Sequence, residues 1–491
     1  DTELAHRDED ERSRLLKVVY DESLVFLLRL LFVLFAEDRQ LFDTSEIPRV
    51  IKGQGNILDL IILEDKDIGE VSNIEKFNRN DDVQLGKVFK LIDEKYNGGL
   101  FSSAKHPLLY ELDIDDILFV KSIDNLCRVS VKKNIYTVDF SSISERELGS
   151  IYESLLEYKF SIVRQDTNEM PSIVNKKRIR RDVKKGDLYL INHKGERKAT
   201  GSYYTPDLIV EHLVNVGLEP KLEKIKAENP NSFTELYNQV LELKLCDPAM
   251  GSGHMILACY NHIIDFLQQC MEEFAEDGKT QKVWEGDTSY DIRTEVARKC
   301  IFGVDLNPIA VELAKLVMWM KLFRHDKPFE FFDYNLAFGN SLIGVYDVEE
   351  PGEDTASLFR TLENLENETR DVLLSNVYTM LDMPRDSVQQ MHEIEDFWQE
   401  QIVPLQKQVS FFYNLKLADY LLPDLKTQAS AELESLTECV DNDPDFVAKI
   451  QAKDSSIPKG FYKLADIDNI IKEQYKPLHW RIAFPRVFAQ G

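Results

Sequence analysis

The hydrophobic pattern of this chain changes character near residue 200. Before that point, apolar positions recur at helical spacing, with short polar connections between the runs. From Glu22 to Leu41 apolar residues lie nearly all round, which predicts a helix in the middle of a bundle. Its densest run, Leu24 to Ala36, carries Arg29 and falls short of the about 20 residues needed to cross a bilayer. It predicts a core helix and no membrane partner. The glycine pair in YNGGLF, Tyr96 to Phe101, marks a tight turn. Ser144 to Tyr158 reads as an amphipathic helix opened by an S-x-x-E capping box at Ser144 and Glu147.

From about 200 to 345 the order is apolar strand, glycine loop, helix, then a second strand and helix. That alternation predicts an α/β, doubly wound sheet. After Val345 the chain turns acidic and helical, with heptad-like runs at Ala356 to Leu381 and His392 to Leu422. Between the two halves, Lys176 to Lys185 (KKRIRRDVKK) is the most basic window. It reads either as a phosphate-contacting patch or as a solvated linker, and its place before a new domain favours the linker.

Composition adds constraints. With 43% hydrophobic and 30% charged residues, the chain has an ordinary globular balance. Its six cysteines are scattered without a C-x-x-C pair, which points to free thiols, a reducing and cytoplasmic setting, and no metal site. No signal peptide is evident in the charged opening residues, and Asp1 suggests a processed or truncated start. The net charge of −27 runs against a nucleic-acid partner, since phosphate binding draws on basic surface.

The sharpest chemical signal is LKLCDPAMGSGHM, Leu243 to Met255. A strand ends at Asp247, Pro248 stops the ladder, and Gly251 and Gly253 let the backbone approach a ligand. His254 then opens a helix to about Phe274. At the carboxyl end of a parallel strand this makes a ligand crevice. The helix N-terminus offers N–H groups to a carboxylate, and Asp247 suits an ammonium group. A ligand with an amino-acid head carries both. A second strand ends at Asp305 within KCIFGVDLNPIAVELAKLVMWM, Lys299 to Met320, where a doubly wound fold places an acceptor for ribose hydroxyls. Asp305 lies too far from Asp247 for a dinucleotide fingerprint unless a polar helix–loop segment, about Met271 to Tyr290, is inserted. Third comes FGNSLIG, Phe338 to Gly344.

DPAMGSG resembles motif I of the amino-methyltransferases that act on DNA. GVDLNP resembles their motif II, FGNSLIG their motif III, and TGSYYTP, Thr200 to Pro206, their motif X. The resemblance implies that S-adenosyl-L-methionine is the cofactor and assigns it three groups of residues. Tyr204, Thr205 and Pro206 cover its methionine end, which Asp247, Pro248, Ala249, Met250, Gly251, Ser252 and Gly253 hold. Asp305, Leu306 and Asn307 take the ribose, and Asn340, Ser341 and Leu342 face the adenine. YNGGLF, LGSIYESLLEY (148–158) and RLLFVLFAEDR (29–39) resemble the helical region before the methylase in type IIG restriction–modification enzymes and the large BREX-type defence methylases.

The implied architecture is a helical domain at 1–195 and the first half of a Rossmann-like methyltransferase sheet at 196–345. A helical insertion follows at 346–470, then a lead-in to a catalytic strand at 471–491. The implied activity is site-specific methylation of the adenine 6-amino group in double-stranded DNA. Further restriction or defence subunits are expected as partners. The family's N/D-P-P-Y/F motif, which holds the flipped base, has no counterpart in the sequence: Asn229-Pro230, Asn307-Pro308 and Asp443-Pro444 each lack the second proline and the aromatic. HWRIAFPRVFAQG, His479 to Gly491, resembles the segment before the fourth strand. The expectation is therefore a donor-binding fragment with no catalytic residue of its own, inactive as an isolated chain, its half-sheet leaving an edge and a face uncovered.

Three other readings stand beside this one. A loose P-D…E-x-K, from Pro206-Asp207 and Glu242-Leu243-Lys244, could belong to a nuclease, but both pieces already have places in the methylase. A nicotinamide oxidoreductase would share the strand–glycine–helix unit but needs G-x-G-x-x-G. A non-catalytic subunit of a defence complex would keep the cofactor site or only the acidic helices.

Overall fold

The computed structural model describes residues 9–42, 47, 51, 85–96, most of 99–192, and 205–488 apart from 277–286, 325, 346–355 and 444. The chain divides into two compact units, one of residues 1–206 with 312–329, the other of residues 207–311 with 330–491. The insertion at 346–470 thus falls in the same unit as the parallel sheet.

The first unit is built on helix α1, Glu9–Asp38, which begins a few turns earlier than its apolar pattern predicts. Leu30 to Ala36 are all buried, and Arg29 is buried among them. Arg29 is accommodated because its Nε donates to the carbonyl of Leu100 at 2.8 Å and its guanidinium lies over the rings of Phe89 and Phe101. Helix α2, Leu85–Tyr96, and the short 3-10 turn Gly99–Phe101 bring aromatic side chains to the same core. Phe32 meets Phe101 and Phe329 edge-on, and Phe329 stacks on Tyr96 and Trp319.

Sequence reading and structure part after Cys127. Helix α3, Asp116–Cys127, runs directly into β1, Arg128–Val131, paired antiparallel with β2, Asn134–Thr137. Two further ribbons follow, nested one inside the other: β3, Tyr158–Ile162, with β6, Leu188–Asn192, and β4, Thr167–Pro171, with β5, Arg178–Val183. Helical turns persist between the ribbons, at Phe140–Ser142 and at the described residues 147, 149, 151 and 155, so the strands lie within a region expected to be helical. Within the basic window, Arg178–Val183 is ribbon where a linker was expected, because β5 pairs with β4 across one register shift. Ser144 lies outside the described residues; of the helix expected from there to Tyr158, residues 147, 149, 151 and 155 are helical, while Tyr158 begins β3.

In the second unit, helices α4, Asp207–Gly217, α5, Glu219–Glu228, and α6, Phe233–Leu241, lead into β7, Leu245–Asp247. Helix α7, His254–Glu276, follows β7, and α8, Asp287–Cys300, leads into β8, Ile301–Asp305. Both helices flank the expected insertion, whose middle, 277–286, lies outside the described residues. Helix α9, Pro308–Leu322, begins in this unit and passes at Glu312 into the first, and β9 covers Leu336–Phe338. The sheet runs β7-β8-β9, all parallel, with β8 central and almost wholly buried, as its unbroken apolar run requires. Asn335, fully buried, pins the start of β8: its side chain donates to the carbonyls of Arg298 and Ile301. Among the described residues β7 pairs on one side only, so the expected edge is present.

The expected uncovered face is not. Phe302 and Val304, alternate residues of β8, pack against Leu478 and Phe484, with Trp480 alongside. The tail supplies this cover because HWRIAF presents aromatic and aliphatic side chains through a short helix, Trp480–Ala483.

The insertion opens with α10, Ala356–Leu381, as predicted. The His392–Leu422 run instead forms α11, Val388–Phe397, a π turn at Trp398–Ile402, and α12, Val403–Leu421. Pro404 explains the break, since it lacks the N–H that an uninterrupted helix would use. Helices α13, Ser430–Asn442, α14, Phe446–Gln451, and α15, Tyr462–Gln474, complete the bundle. The buried Glu330 carboxylate accepts from Arg385 at 2.6 Å and lies 3.6 Å from Arg298, tying α8 to the chain just after α10. Among the described residues no helix is long and apolar enough to cross a membrane.

Candidate cofactor site

Three loops leave the same end of the parallel sheet, because Asp247 lies beside Gly303 in the ladder and Asp305 beside Phe338. Asp305 joins them. Its Oδ2 accepts from the N–H of Gly251 at 2.9 Å, its Oδ1 from Asn307 at 2.8 Å, and its main-chain carbonyl from Gly339 at 3.0 Å. The loops after β7, β8 and β9 are thereby fixed to one residue. Each carboxylate oxygen can accept more than one hydrogen bond, so Asp305 retains capacity for a ligand.

The loop after β7 depends on backbone geometry. Gly251 and Gly253 have φ of 54° and 87°, in the left-handed region that side chains disfavour. A Cβ on Gly251 would meet nothing within 4 Å, so the turn opens into free space, which is what a ligand needs there. Met250 is the loop's anchor. Its N–H donates to the carbonyl of Val304 at 2.9 Å, and its buried side chain lies on Gly303, where any Cβ would enter the sulfur's van der Waals sphere. Pro248 and Ala249 are exposed, and Ser252 and Gly253 are buried as the chain turns into α7. His254, first in that helix, has its Nε2 3.2 Å from Asp207 of α4. Thr205 and Pro206, just before Asp207, are exposed and belong to the other unit; Tyr204 lies outside the described residues.

The third loop is held from the opposite side by residues 476–480. Asn340 donates its main-chain N–H to Lys476 at 2.7 Å, and Leu478 donates to the carbonyl of Ile343 at 2.8 Å. Trp480 Nε1 donates to the carbonyl of Ser341 at 3.2 Å, and a Cβ on Gly344 would strike the carbonyl of Leu478. The Asn340 side chain accepts from the Leu342 N–H at 3.1 Å, and the Leu342 side chain is 92% exposed. Behind this loop stands His479, which is buried. Its Nδ1 accepts from Val345 at 3.2 Å, and its Nε2 faces Asn414 Oδ1 at 3.0 Å; Asn414 in turn donates to Asp468 at 2.8 Å. These bonds specify a neutral imidazole with its proton on Nε2. The helical insertion therefore supports the third loop through one ring.

Burial dominates the electrostatics. Desolvation raises both the Asp247 and Asp305 carboxyls above the usual 3.8; the Ala249 N–H offsets part of this for Asp247, the neighbouring Asp305 adds to it, and backbone N–H groups offset part of it for Asp305. Two carboxylates so placed gain from an incoming cation. Burial pushes His479 down to about 3, with Lys416 adding to the effect.

The three loops are legible in the sequence, whereas the contacts that hold them are not. Gly303 carried a signal, a lone glycine within an apolar strand, which marks close approach of another chain segment. His479 and Asn414 carried none, being separated by 65 residues in unpatterned polar positions.

Residues 222–338 match the MmeI DNA-methyltransferase domain, a span containing all of β7, β8 and β9. RM.MjaORFECS2P of Methanocaldococcus jannaschii is 22% identical over 66% of this chain. The type II restriction enzyme and methyltransferase RM.Eco57I of Escherichia coli is 28% identical over 60% of it. The adenine-specific methyltransferase PglX of Streptomyces coelicolor is 26% identical over 26%. The chain spans 27% of the length of each of the first two relatives and 8% of the third. No solved structure matches the chain.

Proposed function

With the resemblance to restriction–modification and BREX-type methylases upheld by these matches, we propose that this chain binds S-adenosylmethionine at the end of its parallel sheet. The methyl group is destined for the 6-amino group of adenine in double-stranded DNA, and the sheet is read as part of a Rossmann-like methyltransferase fold. The observation that carries the reading is Asp305, bound at once to the loops after β7 and β9. The donor extends across three such loops, so a site for it needs them fixed relative to one another.

The residues present suit the donor's parts. Pro248, Ala249, Met250 and Ser252 shape a turn in which Gly251 and Gly253 leave room for the methionine carboxylate at the start of α7. Asp247 faces the ammonium group, whose charge relieves the desolvated carboxylate. Asp305, flanked by Leu306 and Asn307, accepts from the ribose hydroxyls, and Asn340 with Ser341 and Leu342 borders the adenine. When bound, the donor supplies an electrophilic methyl group on a sulfonium.

Transfer to adenine also needs carbonyl acceptors on the amine and an aromatic face under the extruded base. The 491 residues contain no N/D-P-P-Y/F motif to supply them. We therefore assign donor binding to these residues by themselves and transfer to them together with a segment that carries that motif; duplex DNA and further restriction or defence subunits are the proposed partners. Tritiated donor with adenine-containing duplex tests this division. The chain alone should incorporate no label, and addition of a motif-bearing segment from a relative should restore it. Incorporation by the chain alone would overturn the division.

A further inference from the structure

A chain of buried polar side chains runs from the helical insertion to the loop after β9, residues 339–345. Asp468 of α15 is buried, and its Oδ2 accepts from Lys472 at 2.6 Å and from Gln451 at 3.1 Å. Its Oδ1 accepts from Asn414 of α12, whose own Oδ1 accepts the Nε2 proton of His479. The other ring nitrogen of His479 accepts from the N–H of Val345, where the loop ends. Reversing the Asn414 amide would set donor against donor at His479 and oxygen against oxygen at Asp468, so the chain has one orientation. A satisfied buried network of this kind holds its members in place.

The segment beside His479 grips the same loop through its backbone and through Trp480. Lys476 has φ of 49°, a left-handed conformation that residues with side chains seldom adopt, and its carbonyl accepts from the Asn340 N–H at 2.7 Å. Trp480 donates to the Ser341 carbonyl at 3.2 Å. The consequence falls on the Asn340 side chain. Its Oδ1 accepts from the Leu342 N–H at 3.1 Å, and because a main-chain N–H can only donate, the amide cannot turn over while the loop keeps this shape. Nδ2 is thereby the amide's donor, and Oδ1 has a second lone pair with which to accept. Adenine offers the matching pair, a ring-nitrogen acceptor beside an amino donor, whereas a 6-oxopurine has no amino donor at that place.

We propose that Asn414, His479 and Trp480 are positioning residues for the donor's purine: by holding the loop after β9 they keep the Asn340 amide in the orientation that prefers a 6-aminopurine to a 6-oxopurine. They act through Asn340, without touching the ligand. Assignment of that ligand as a purine nucleoside rests on the proposed function; the hydrogen-bond chain does not.

The test is isothermal titration of the whole chain with S-adenosylhomocysteine and with S-inosylhomocysteine, a pair that differs at position 6 of the purine. The parent should bind the adenosyl ligand at least about tenfold more tightly. Trp480→Phe keeps an aromatic ring against Phe484 and Phe488 and loses only the Nε1 donor. Asn414→Leu keeps the approximate size of the side chain and loses both of its hydrogen bonds. Each should weaken the adenosyl ligand about 3- to 10-fold and the inosyl ligand by less than about twofold, so that the preference shrinks. Asp247→Ala, at the amino-acid end, should weaken both ligands by the same factor and leave the preference as it was. Should Asn414→Leu show no urea transition, and so fail to fold, Trp480→Phe decides alone. A parent that prefers neither purine would overturn the proposal, as would a parent-like preference in either folded variant. A parent that binds neither ligand would overturn the donor-binding reading and this proposal with it, so the two failures are told apart.

Discussion

Gly303 and Met250 show how a residue can be necessary to a site without touching a ligand. The absence of a Cβ at 303 lets Met250 lie on the sheet, and Met250 in turn hangs the loop after β7 from Val304. Gly303→Ala should therefore destabilise the second unit by about 1–3 kcal/mol through overpacking. Met250→Ala removes the obstacle, so the double variant should lose less than the sum of the two single losses in urea unfolding. Additive losses would show that the two residues do not share the space. His479 makes a prediction in pH. Its imidazole is held neutral down to about 3 in the folded chain, against 6.5 when free. Between those values only the unfolded chain takes up the proton. Stability from this group is thus complete above about 6.5 and is lost progressively on acidification. The urea midpoint should fall between about pH 7 and pH 5, and His479→Gln should flatten that part of the curve. The places of Asp247, Gly251, Gly253 and Asp305 at the strand ends were legible from the sequence because a strand–loop–helix corner is written in contiguous residues. Met250 was legible only as a neighbour of those residues, since its anchoring depends on a strand 53 positions away.

At the scale of elements, contiguous patterns were again what could be read. α4, α7, β8 and α10 fall close to the bounds set by apolar periodicity and by Pro and Gly punctuation. The ribbons of the first unit were not legible. RIRRDV lacks the apolar–polar alternation by which a half-buried strand announces itself, and its pairing with β4 is a tertiary fact. The π turn at Trp398–Ile402 was hidden for a similar reason, since Pro404 alone does not say whether a helix bends or ends. The ion group of Arg298, Glu330 and Arg385 joins elements that no local pattern connects. Glu330→Gln would leave two guanidinium groups without their shared carboxylate. It should cost about 3–5 kcal/mol, read from denaturant unfolding, because breaking a buried pair strands the remaining charge. A loss within about 0.5 kcal/mol would mean that the pair is effectively solvated.

For the molecule as a whole, the order of the sequence motifs foretold which loops meet, and the tail's role was the surprise. Residues 476–488 cover one face of the sheet and clamp the loop after β9, so the site is formed by segments more than 130 residues apart. The central claim is that Asp247 and Asp305 frame a site for S-adenosylmethionine. Isothermal titration of the whole chain with that donor tests it most directly. Saturable single-site binding is predicted, weakened about 10- to 100-fold by Asp247→Ala and by Asp305→Ala, the loss expected for a hydrogen bond to a charged group. Absence of binding heat from the parent chain, or an Asp247→Ala variant with the parent's affinity, would contradict the account.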